Sequence, residues 1–142
     1  MRVALISGGA MKILVSMLVC LAGLIGPAWS AETIDVSDNH GGNVRQYDAR
    51  WAEYGRQGVR VRIVGPCQSA CTVLLAHIPR GNICVTGNAS LGFHLAKSAY
   101  GTATLWNAYP ADIQAWINAR GGLKGDFVWL RSPELYKYFG KC

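Results

Sequence analysis

Between Gly65 and Ala96 the chain reads GPCQSACTVLLAHIPRGNICVTGNASLGFHLA, setting Ser69 between Cys67 and Cys71 and following them with Cys84 and His94. A serine that opens a helix directly after a strand holds its hydroxyl beside exposed backbone N–H groups, an arrangement suited to acyl transfer. His94, 25 residues downstream in the next apolar segment, is of the type that serves as general base. Upstream, Gly41 and Gly42 can join the backbone of Ala70 as oxyanion donors, because no side chain may intrude where the carbonyl must lie. Each of these residues also has a plainer role. Ser69 can be a helix N-cap, His94 a packed or surface histidine, and the glycine pair a simple turn.

The cysteines allow two chemistries. Cys67, Cys71 and Cys84 with His94 would make a zinc set, although Cys-x₃-Cys is not the commonest spacing for one. Cys67, Cys71, Cys84 and Cys142 are alternatively an even set in a small domain, which reads as disulfides in an oxidising compartment. Four cysteines permit three pairings, and none is selected by the pattern. Oxidised cysteines cannot act as nucleophiles, which need a thiolate, so Ser69 is favoured for that role. No metal and no cofactor are expected.

The compartment follows from residues 1–30. Arg2 and Lys12 precede the apolar run ILVSMLVCLAGLIG (residues 13–26), and PAWSAE comes next, with Ala28 and Ser30 at the −3 and −1 positions of a cut after Ser30. That is the order of a secretory signal. The run is shorter than the ~20 residues of a spanning helix, and Cys20 follows Val19, which does not suit a lipoprotein cut. The sequence therefore predicts a signal peptide over 1–30 and a single exported domain over 31–142, periplasmic or secreted, with no membrane attachment after processing. The net charge of +6 falls to +4 without Arg2 and Lys12, and no basic run occurs. Nucleic-acid binding is not expected.

The elements that would position these groups are short. ETIDVS alternates as a strand does, DNHGGN is a turn, and Val44, Tyr47, Trp51 and Tyr54 recur at helical spacing. VRVRIV is a second strand, SACTVLLAHI a helix stopped by Pro79, and NICVTG and SLGFHLA two further strands. TATLWNA, PADIQAWINAR and SPELYKYF read as helices, the second stopped by Gly121-Gly122 and the third opened by Ser132 as N-cap. Strands alternating with helices imply an α/β fold with a short parallel sheet and C-terminal helices. In such a sheet, the glycine turn and Ser69 would meet at the carboxyl ends of adjacent strands.

HGG, GPCQSACTVLLA and RGNICVTGNASLGFH, in that order, resemble the Clp protease proteolytic subunit family of the Clp/crotonase superfamily. The likeness covers about Thr33 to Ala96, with a weaker echo in GDFVWLRSPELYKYFG. The whole of 31–142 also resembles a group of small exported bacterial proteins that share the Cys-x-Ser-Ala-Cys-Thr core and a terminal cysteine. The resemblance implies a minimal Clp/crotonase-like βαβ core with Ser69 as nucleophile, His94 as base, and Gly41 and Ala70 as oxyanion donors. Asp126 is its candidate to orient His94, with Asp112 and Asp35 as competitors and a Ser-His dyad as the remaining option. His40 stands where the family has proline, and the segment through which those proteases stack into rings is absent. On this fold, a Cys71–Cys84 disulfide would brace the nucleophile turn, and Cys142 would tie back to Cys67.

Two functions are expected from these residues. The first is an exported serine hydrolase, a peptidase acting on peptide or protein substrates. The second is a catalytically inactive module that binds a peptide or an envelope protein. A thioester-handling enzyme of crotonase type is a weaker third, because an exported protein rarely meets coenzyme A.

Overall fold

Alternating burial fixes the first two strands of the computed structural model, which describes residues 31–142. The signal segment expected over 1–30, with its cut after Ser30, lies outside the described residues. Thr33–Val36 forms β1 and Arg60–Ile63 forms β2. In β2, Val61 and Ile63 are buried while Arg60 and Arg62 face out, as a period of two requires. The strands pair in parallel, with Asp35 opposite Arg62, and those side chains form an exposed ion pair.

The connection is helix α1 (Val44–Arg56). Asn43 caps it by accepting from the Gln46 N–H at 3.1 Å, satisfying one of the orphan donors of the first turn. Its apolar stripe packs inward, with Trp51 buried and Val44, Tyr47 and Tyr54 partly so.

Beyond β2 the chain bends out of this sheet and lays Pro66–Gln68 (β3) into a second one. A 3-10 turn over Ser69–Val73 and the short helix α2 (Leu74–His77) follow. The step is then repeated: Ile83–Val85 (β4) joins the first sheet and Ser90–Phe93 (β5) the second. Helices α3 (Ala99–Ala108) and α4 (Ala111–Asn118) come next. Val128–Arg131 (β6) pairs antiparallel with β5, and Gly140–Lys141 (β7) pairs parallel with β4. The two sheets are ordered β1-β2-β4-β7 and β3-β5-β6.

The architecture is thus mixed α/β, with a parallel sheet beside a mixed one. Leu74, Leu91, Phe93, Leu105 and Ile113 are among the side chains fully buried in its core. Each contributes about 1.5–3 kcal/mol relative to exposure, whereas exposed ion pairs such as Arg62–Asp35 contribute little.

Two expected helices are shorter than their patterns suggest. SACTVLLAHI begins as a 3-10 turn because Thr72 Oγ1 donates back to the Ser69 carbonyl at 2.6 Å, a local bond that competes with helical pairing. SPELYKYF keeps only a 3-10 turn over Glu134–Lys137. Ser132 does not cap it: its hydroxyl donates to the Thr86 carbonyl at 2.6 Å instead.

The disulfides are Cys67–Cys71 and Cys84–Cys142, which corrects the expected pairing of Cys71 with Cys84 and Cys67 with Cys142. The reason is topological. Cys84 lies in β4 opposite Gly140 of β7, so Cys142 ends beside it, with Cα atoms 4.9 Å apart. Cys67 and Cys71 flank a single turn with Cα atoms 5.4 Å apart, inside the bridging range. Both pairs being oxidised, the zinc set of Cys67, Cys71, Cys84 and His94 has no thiolate to offer. Among the described residues no helix is long and apolar enough to cross a membrane.

Candidate functional site

The site begins with a bridge between neighbouring segments. Asn39 pairs in parallel with Cys67 of β3, donating its N–H to the Pro66 carbonyl at 2.9 Å and accepting from the Gln68 N–H at 2.8 Å. The glycine turn is therefore held beside Ser69 by this second sheet rather than by adjacency of β1 and β2. Gly41, at φ +79°, sits so close that a Cβ there would lie 2.6 Å from the Gln68 carbonyl oxygen and 2.9 Å from the Ala70 nitrogen. Only glycine fits.

Ser69 takes φ +52°, the one non-glycine residue with positive φ among the described residues. Such a conformation costs of order 1–3 kcal/mol and persists only where the surroundings enforce it. Here the Cys67–Cys71 disulfide closes the turn on both sides. Thr72 Oγ1 grips the Ser69 carbonyl and lies 2.8 Å from the Tyr109 hydroxyl. Thr72 has already spent its only proton, so Tyr109 is the donor. Burial pushes the Tyr109 phenol well above its ordinary pKa, which keeps that proton in place.

His94 follows β5 directly, and its Nε2 lies 2.7 Å from Ser69 Oγ. The ring of Phe127 packs against the imidazole with centroids 4.3 Å apart. Phe127 and Trp129 in turn lie over Gly92, where a Cβ would meet Trp129 at 2.9 Å. Partial burial lowers the His94 pKa, and the Gly125 backbone carbonyl acts on the ring in the opposite, weaker sense.

The structure thus brings Ser69, His94, Gly41, Gly42 and Ala70 together and leaves the carboxylates elsewhere. Asp126 is exposed and makes no hydrogen bond to His94 among the described residues. The group acting on the ring is the carbonyl of the preceding residue, Gly125. Asp112 is bound bidentate to Arg80 at 2.7 and 2.8 Å, and Asp35 pairs with Arg62. Each of these pairs holds its carboxyl below the usual range, chiefly through the hydrogen bond to the arginine.

The Gly41 N–H is also committed, donating to Asn39 Oδ1 at 3.0 Å, an oxygen that the Tyr47 hydroxyl holds at 2.7 Å. Of the expected oxyanion donors, Gly42 and Ala70 remain. The Ala70 N–H stands in the first turn of the 3-10 segment, where no intrahelical acceptor exists. Asn39, Tyr47, Thr72, Tyr109, Gly125 and Phe127 were not singled out by sequence. Only Asn39 carried a signal, as an Asx residue two positions before a turn glycine.

Ser69 and His94 open onto a cleft of ≈ 680 Å³ that Arg45, Lys97, Tyr100 and Phe127 help to line. Comparison with protein-family models, with curated proteins and with solved structures finds no match for this chain.

Proposed function

We propose that this chain is an exported serine hydrolase, a peptidase on a minimal Clp/crotonase-like core, with Ser69 as nucleophile and His94 as general base. The observation that carries the reading is the 2.7 Å contact between His94 Nε2 and Ser69 Oγ at a serine held in the left-handed region. In the tautomer that carries its proton on Nδ1, the ring leaves Nε2 free to accept from the hydroxyl. Ser69 Oγ then attacks the substrate carbonyl carbon, and its proton passes to Nε2. The N–H groups of Ala70 and Gly42 are the donors this reading assigns to the developing oxyanion. Collapse of the adduct returns the proton from Nε2 to the leaving amine, and water repeats the sequence on the acyl-enzyme. The two disulfides support export, since such bonds persist in oxidising compartments.

A fluorophosphonate probe on the oxidised protein tests this reading. Labelling falls on Ser69, disappears in Ser69→Ala, and slows at least ~100-fold in His94→Ala, the usual scale of a general base. A folded, oxidised sample that takes no label supports the second reading, a binding module on the same fold. That no carboxylate is hydrogen-bonded to His94 among the described residues is the observation that favours it.

A further inference from the structure

The cleft beside Ser69 is charged in one sense. Arg45, Lys97 and His40 line it, and no aspartate or glutamate does. His40 is engaged by Asp38 at 3.2 Å and by the Gln68 amide at 3.1 Å, so the cations that line the space are Arg45 and Lys97. Among the described residues neither Arg45 nor Lys97 has a carboxylate within ion-pair distance, as is also true of Arg50, Arg60 and Arg131, whereas Arg56, Arg62, Arg80 and Arg120 each have one. What sets Arg45 and Lys97 apart is that they line this cleft. Arg45 is also placed, its guanidinium lying 5.3 Å from the centroid of the Tyr100 ring. The first turns of α1 and α3, which carry Arg45 and Tyr100, border the same space and add partial charge of the same sign. A concave site walled by one sign of charge concentrates ligands of the other.

We infer that the cleft selects a carboxylate-bearing peptide, held by Arg45 and Lys97 with its carbonyl presented to Ser69. The position of that carbonyl rests on the hydrolase reading; the selection by charge does not. The carboxylate can come from an acidic side chain or from a chain terminus, and either would engage a guanidinium and an ammonium in the same way.

Binding to the Ser69→Ala protein tests this without requiring turnover. The probes are N-acetylated, C-amidated alanine hexapeptides carrying two Glu, two Gln or two Lys, plus the all-alanine peptide with a free C-terminal carboxylate. At low salt the Glu peptide or the free-acid peptide binds on the order of tenfold more tightly than the Gln peptide, and whichever does so identifies the source. Raising the salt shrinks the ratio. Arg45→Gln with Lys97→Gln brings the ratio toward one, and Arg45→Glu with Lys97→Glu inverts it in favour of the Lys peptide. Equal binding of all four peptides by a folded protein overturns the inference, as does a preference that survives both double variants. Absence of fluorophosphonate labelling with the charge preference intact sinks the hydrolase reading alone.

Discussion

A backbone carbonyl and a carboxylate serve an imidazole differently. Either can hold the proton on Nδ1, but only the carboxylate brings a full charge to stabilise the imidazolium formed in the transition state. Among the described residues no carboxylate is hydrogen-bonded to His94, so that charge stabilisation is missing, and the hydrolase reading carries the expectation that Ser69 is labelled slowly. Asp126→Asn then changes the labelling rate by no more than about twofold, far from the ~10⁴ lost when a triad carboxylate is neutralised; a loss of that size restores Asp126 to the site. The pH dependence has a definite sign. His94 acts as base only when neutral, and burial lowers its pKa from the ordinary 6.5. Labelling is flat near neutrality and declines on acidification with a midpoint below 6.5, which a rate profile between pH 4 and 8 measures. The site was legible as far as residue type carries chemistry: Ser69 and His94 are recognisable as serine and histidine, whereas Gly125 acts through an oxygen every residue possesses.

At the scale of elements, the two disulfides do different work. Cys84–Cys142 spans 58 residues and joins β4 to the strand pairing with it, while Cys67–Cys71 spans four and encloses Ser69. Loop-closure entropy assigns about 4 kcal/mol to the first and about 2 kcal/mol to the second. Cys84→Ser with Cys142→Ser therefore lowers the denaturation midpoint more, while Cys67→Ser with Cys71→Ser slows labelling of Ser69 more. Parallel denaturation and labelling curves would reveal the opposite ranking if the short bridge did not hold the turn. Legibility here follows length and periodicity. β1, β2, β4 and α1 were readable because alternation or a helical stripe runs through them, and β5, buried throughout, as a short apolar run between turn residues. β3 was hidden in three residues beginning with proline, and β6 in VWLR, whose burial does not alternate. The disulfide pairing needed the β4–β7 neighbourhood, which rests on the last strand returning beside β4 and has no local signal.

For the molecule as a whole, export is the reading that joins the apolar run of residues 13–26, the four cysteines of residues 31–142 and the two bonded pairs they form. Expressed with an intact secretion pathway, the mature protein begins at Ala31 by N-terminal sequencing and shows no titratable thiol when unfolded without reductant. An unprocessed chain with five free thiols would place it in a reducing compartment instead. The Gly125 oxygen has a consequence on a longer timescale. A partner supplied by a side chain vanishes with one nucleotide change, but a main-chain oxygen is encoded at every codon and is lost only if the path of the loop changes. Position 126 can therefore vary without altering what the Gly125 carbonyl does to the His94 ring. A search for related chains that demands an aspartate there would pass over those that keep only the path of the loop.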